Sequence, residues 1–147
     1  MRGPAAERFI VLSLRLMAAS FAVVGILFIA VPNGVLDTIS DLGDSLGDFT
    51  RAPHGSEELW LALAFAYMVV ITGICAVVSL DVVRYRPFLI VLALGKAASS
   101  LAALGYYAFD SNAFPYLLNF IVDGILVSVA LLLWWLVGRI GEPAAPS

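Results

Sequence analysis

The hydrophobic positions of the chain fall into four long stretches separated by short polar segments. The stretches cover residues 9–31, 59–80, 88–109 and 114–137, and each contains one strongly charged residue at most. A hydrocarbon core about 30 Å thick is crossed by about 20 residues of helix. Lipid cannot satisfy a free backbone N–H or C=O, so each stretch is expected to be an α-helix. The pattern predicts an all-α membrane protein, a four-transmembrane-helix antiparallel bundle.

A different periodicity occupies residues 35–49, between the first and second stretches. Its apolar positions recur at steps of 4, 3, 4 and 3 residues, which places them on one helical stripe. They are Val35, Ile39, Leu42, Leu46 and Phe49. The opposite face carries Asp37, Asp41, Asp44 and Asp48. We therefore predict an amphipathic interfacial helix with its aspartates in water. A solvated face explains these aspartates most simply, and a docking face for a basic partner or a Ca²⁺ site are alternatives.

Composition supports a single membrane domain. Of the 147 residues, 62% are hydrophobic and 13% are charged, whereas a soluble domain is about half apolar and about a quarter charged. We assign residues 1–141 to one domain and expect residues 142–147 to be a disordered tail. The net charge is −3 and basic residues do not cluster, so nucleic acid is not an expected partner. The expected partners are the lipid bilayer and other membrane subunits or a second copy of the chain.

The distribution of arginine predicts the orientation. Arg2 and Arg8 precede the first stretch, Arg84 and Arg86 follow the second, and Arg139 follows the fourth. Basic flanks of short loops stay in the cytoplasm, so both termini are expected there. The chain contains seven Arg, one Lys and abundant Ala, Gly and Val, a bias of GC-rich bacterial genomes. The expected location is a cell inner membrane, with the chain crossing it several times.

Three charged residues interrupt the apolar stretches. Arg15 is near the start of the first stretch, so its side chain can reach back to the headgroups. Lys96 and Asp123 are deeper, where either charge alone costs about 2.5–3.5 kcal/mol. The third and fourth stretches are joined by a very short connection and must be neighbours. We therefore predict a salt bridge between Lys96 and Asp123.

Polar residues one helical turn away extend this pair into a candidate site. The candidate intramembrane polar cluster comprises Lys96, Asp123, Asn119, Ser99, Ser100 and Arg15. In one interpretation the pair fixes the register of a helix hairpin. In the other it is a proton relay, an ion site or the polar floor of a ligand pocket, extended by Tyr67 and Thr72. Small residues on the third stretch, such as Gly95 and Ala98, predict that this helix is central in the bundle, with a dimer face as the alternative.

Motifs for catalysis, metal binding or cofactor binding are absent from the sequence. The chain has one Cys, Cys75, and one His, His54, so it supplies neither a Cys/His zinc set nor paired haem ligands. Catalysis is disfavoured, and no metal or cofactor is expected; His54 is interpreted as a surface residue. The leading hypothesis is a non-enzymatic accessory or interaction subunit of a larger membrane complex. A small transporter or channel that uses the Lys-Asp cluster is the alternative, and a lipid- or quinone-handling membrane enzyme is the second.

Overall fold

The described part of the chain is entirely helical apart from its connections. The computed structural model describes residues 4–53 and 58–140 and contains there five α-helices, α1 (Pro4–Ala30), α2 (Pro32–Leu46), α3 (Glu58–Leu80), α4 (Phe88–Phe109) and α5 (Phe114–Ile140). Within these ranges, α1, α3, α4 and α5 are long and apolar enough to cross a membrane. The predictions for Arg2, His54 and the tail at 142–147 concern residues outside the described ranges.

The second helix is displaced by three residues from its predicted bounds. It begins at Pro32, in the first turn, where the missing N–H of proline costs nothing. It ends before Gly47, whose N–H donates to the carbonyl oxygen of Gly43 at 3.0 Å. Phe49 therefore leaves the helix, and its ring packs against Phe114 with centroids 5.1 Å apart. The apolar stripe predicted for residues 35–49 is thus divided between a helix and the loop after it.

The four long helices associate mainly as two pairs. The most extensive contacts join α1 to α3 and α4 to α5, and contacts between the two pairs are sparser. One buried core includes Leu14, Cys75, Leu89 and Leu133, one residue from each long helix. The central position expected for α4 stays a prediction: α4 packs extensively on α5 alone, yet its apolar segment has the largest buried share among the four long helices, 33%. The seam uses the Lys96 side of α4, and this leaves the small residue Ala98 exposed.

Polar contacts fix the connections at both ends of the α4–α5 pair. At one end, Arg86 Nε donates to the carbonyl oxygen of Trp134 at 2.9 Å, and its guanidinium lies 4.2 Å from the centre of an indole ring of the same residue. Gly138 leaves room for this guanidinium, since a Cβ there would approach it to 2.5 Å. At the other end, Thr50 N donates to the carbonyl oxygen of Asn112 at 3.0 Å. The loop after α2 is therefore attached to the α4–α5 turn.

Candidate functional site

The centre of the candidate site is an ion pair between α4 and α5. Lys96 Nζ lies 2.9 Å from Asp123 Oδ1, and the two side chains are 2% and 5% exposed. The short link between the helices makes them neighbours that run in opposite directions, so that Lys96 faces Asp123 while Arg86 faces Trp134. The salt bridge predicted from the sequence is present. At this distance the contact is also a charge-assisted hydrogen bond.

Aromatic rings from the other helix pair enclose the ammonium group. Lys96 Nζ lies 4.6 Å from the ring centre of Phe21 on α1 and 5.5 Å from that of Tyr67 on α3. Both distances are within the range of cation–π attraction, which is worth about 2 kcal/mol or more in a desolvated site. With Asp123 on α5, the ammonium group touches all three other long helices. It is therefore one of the points at which the α1–α3 pair and the α4–α5 pair meet.

The flanking polar residues line the seam without contacting the ion pair. Ser100 Oγ donates to the carbonyl oxygen of Phe120 at 2.8 Å and is buried. Asn119 Nδ2 donates to Ser99 Oγ at 3.3 Å, in a contact that is exposed. These residues add hydrogen bonds between α4 and α5, one turn from the charges.

Two hydroxyl groups on α3 have unused hydrogen-bonding capacity. Tyr67 Oη and Thr72 Oγ1 are both buried and lack a hydrogen-bond partner in the described part of the chain. The Tyr67 hydroxyl lies against Gly95, where a Cβ would come within 3.3 Å of it. A buried hydroxyl without a protein partner usually binds an ordered water or has a functional role. Sequence reasoning placed both residues near the cluster but gave no reason to expect them to be unsatisfied.

Arg15 lies apart from this cluster. Its side chain is exposed on the outer surface of α1, where it lines a groove together with Glu7, Arg8, Val11 and Leu12. No hydrogen bond or ion pair joins it to Lys96 or Asp123 within residues 4–53 and 58–140. Its position suits contact with headgroups rather than with the buried pair.

Arg51 partly neutralises the acidic face of α2. Its Nη2 atom lies 2.6 Å from Asp41 Oδ1 and 2.8 Å from Asp44 Oδ2. These contacts raise the pKa of Arg51, through the hydrogen bond to Asp44 first and that to Asp41 second. Asp48 is exposed and Asp37 is half-buried. No group of three or more His, Cys, Asp or Glu in the described ranges is arranged to hold a metal ion.

Two features of the site were missed by sequence reasoning. The first is Phe21, whose ring touches the ammonium group from α1; nothing in its local sequence distinguishes it from the apolar residues around it. The second is Arg51 as the partner of two aspartates, for which the excess of acidic residues around one arginine was an available signal.

No family model matches the chain, and no match is found among curated proteins or solved structures. The function must therefore be argued from the chain's own residues.

Proposed function

We propose that this chain is an accessory or interaction subunit of a larger membrane complex and has no catalytic activity of its own. The observation that carries the proposal is that the ion pair is buried and enclosed by the protein. The side chains of Lys96 and Asp123 are 2% and 5% exposed, and they bind each other. Rings from α1 and α3 cover the ammonium group. Because this ion pair contacts all four long helices, we interpret it as a device that fixes their packing and register. Function is then assigned to the outer surface of the bundle.

The proposed architecture is an antiparallel four-helix bundle in a bacterial inner membrane, with α2 at the outer interface. The packing of α2 supports this placement. The face of α2 that is buried contains Ser40 and Gly43. At about 100° per residue, the exposed leucines Leu42 and Leu46 lie roughly 110° to one side of that face. The aspartates bound to Arg51 lie roughly 100° to the other side. The helix thus offers one side to the bundle, one to lipid and one to water.

The proposed orientation places both termini in the cytoplasm. Cysteine labelling in intact cells tests this orientation. The chain's own Cys75 is fully buried, and Cys75→Ala removes any background labelling from it. Single cysteines introduced at the exposed positions Asn112 and Val83 then report on the two sides of the membrane. A membrane-impermeant maleimide is expected to label Asn112→Cys in intact cells and Val83→Cys only after lysis. The reverse result would contradict the orientation.

A mass measurement combined with bulky substitutions tests the accessory role. The chain is tagged, extracted from its own membranes in mild detergent and measured by light scattering. We expect a protein mass well above the 15.7 kDa of one chain, with a defined partner identified by mass spectrometry. Tryptophan is then introduced at one exposed position on each long helix, namely Ile26, Val69, Leu101 and Ile125.

A partner that packs on one side of the bundle should be lost from one or two of these variants and kept by the others. The unaffected variants are the matched controls, since all four positions are more than half exposed. A parent chain that runs alone, with no partner, would contradict the proposal.

The second candidate function is transport of a proton or small ion through the polar cluster. The observation in its favour is a pair of buried hydroxyl groups, Tyr67 Oη and Thr72 Oγ1, that have no hydrogen-bond partner among residues 4–53 and 58–140. A flux assay in proteoliposomes separates the candidates. Transport requires flux in the parent that Asp123→Asn abolishes and that Ser128→Ala, on the same helix but exposed and outside the cluster, leaves intact. The accessory role predicts no flux above that of empty vesicles.

A further inference from the structure

A shallow groove on the outer surface of α1 contains two arginines on one side of the helix. Arg8 and Arg15 are seven residues apart, which is nearly two full turns. The groove has a volume of about 420 Å³ and is lined by Glu7, Arg8, Val11, Leu12 and Arg15. Neither guanidinium makes a hydrogen bond, an ion pair or an aromatic contact with a described residue of the chain.

The other arginines that the structure describes near this end of the bundle have partners within the chain. Arg84 lies over Tyr85, Arg86 binds the backbone of α5, and Arg139 lies over the ring of Trp135 at 3.7 Å. Arg8 and Arg15 therefore differ from them in having unused donors. A lack of nearby acidic side chains does not explain why Arg8 and Arg15 are unpaired, because Glu7 lines the same groove.

Arg15 is in an environment where an unpaired charge is costly. It lies within the apolar stretch 9–31, and its neighbours Leu12 and Leu16 are 58% and 60% exposed, so this side of α1 faces lipid in a membrane-spanning chain. Helical side chains lean toward the N-terminus, which carries the Arg15 guanidinium toward Arg8. An anion located between the two would satisfy both guanidinium groups with charge-assisted hydrogen bonds.

We propose that Arg8 and Arg15 bind the phosphodiester group of an anionic phospholipid, with an acyl chain of that lipid lying over Leu12. The two guanidinium groups match the charge and the oxygen geometry of a phosphate, and the apolar floor of the groove matches a hydrocarbon chain. Glu7 lines the same groove and lowers its net positive charge, so it weakens the attraction of the two arginines for an anionic lipid. The site does not depend on the accessory role, because it requires only that α1 lies in a membrane.

Native mass spectrometry of the full chain in a neutral detergent tests this site. The protein is titrated with phosphatidylglycerol or with phosphatidylcholine, and the bound fraction is measured. We expect phosphatidylglycerol to bind more tightly. Arg8→Gln and Arg15→Gln should each weaken that binding by about fivefold, the effect of about 1 kcal/mol per arginine at a membrane surface. Glu7→Gln should strengthen it, and Arg84→Gln is the control that should leave it unchanged.

Four results would overturn the proposal. They are equal binding of the two lipids, unchanged binding in both Arg8→Gln and Arg15→Gln, an equal loss in Arg84→Gln, and displacement of the lipid by an excess of inorganic phosphate. The last result would identify free phosphate as the ligand. Helical circular dichroism and thermal melting of each variant ensure that lost binding is not caused by lost folding.

Discussion

Removing one charge of the buried ion pair is expected to be far more damaging than removing both. Lys96→Met keeps an unbranched side chain of similar length but leaves Asp123, whose side chain is 5% exposed, without its ammonium partner at 2.9 Å. Lys96→Met together with Asp123→Leu removes both charges and fills the space with apolar atoms. The comparison therefore separates the cost of an isolated charge from the loss of packing.

The magnitude follows from how completely the pair is buried. Breaking a buried ion pair by removing one partner costs about 3–5 kcal/mol, whereas replacing the whole pair by apolar residues is neutral or stabilising by about 1–4 kcal/mol. Because both side chains are almost fully buried, we expect Lys96→Met to cost about 3–5 kcal/mol. The double variant should be at least as stable as the parent. It also loses the cation–π contacts of Lys96 with Phe21 and Tyr67, which places it toward the neutral end.

The free energy of unfolding is measured by titration with a denaturing detergent, followed by helical circular dichroism. Asn119→Leu is the matched control, because Asn119 is on the same face of α5 but is exposed and makes a single hydrogen bond of 3.3 Å. We expect it to change stability by about 0.5 kcal/mol or less. Two results would refute the reasoning: a Lys96→Met variant within about 1 kcal/mol of the parent, or a double variant no more stable than Lys96→Met.

Three further predictions concern the connections around the bundle. Gly43→Ala should destabilise the protein by about 1–3 kcal/mol, because its Cβ would lie 2.5 Å from the Cβ of Phe114. A Cβ at Gly34, in the same helix, would meet only Val31 Cβ at 3.7 Å, so Gly34→Ala should stabilise the protein by about 0.5–1 kcal/mol. Thermal melting compares the two variants with the parent. Arg86→Gln should lower the free energy of unfolding by about 1–2 kcal/mol through loss of its backbone bond and its indole contact; an unchanged melting temperature would contradict this. Arg51→Gln should speed hydrogen exchange in residues 41–52 and leave the melting temperature nearly unchanged, because its ion pairs are exposed; equal exchange rates in both proteins would count against this.

The sequence predicted the long helices well because their length and apolarity depend on local composition. The ends of α2 were less predictable. Phe49 continues the apolar spacing of residues 35–46, but it packs against Phe114, which is distant in sequence and could not be identified from periodicity. The extra turn at the start of α2 arises because Pro32 occupies the first turn of the helix, where its missing N–H costs nothing.

The ion pair was predictable for a different reason, and the packing around it was not. Lys96 and Asp123 are costly in lipid and are joined by a short loop, so elementary energetics and connectivity identify them as partners. The contribution of Phe21 depends on how the α1–α3 pair meets the α4–α5 pair, which no local pattern encodes. The small residues of α4 likewise did not indicate which neighbour it prefers, and the helix packs extensively on α5 alone.

Our central proposal is that the ion pair fixes the packing and register of the four helices while the outer surface carries the function. It is tested most directly by the mass of the complex formed by the charge-free variant, Lys96→Met with Asp123→Leu. Both the parent and this variant are extracted from native membranes in mild detergent and measured by light scattering. The account predicts a complex of the same mass and partner composition for both, well above the 15.7 kDa of a single chain. A parent that runs as a single chain, or a folded variant that loses its partner, would contradict it.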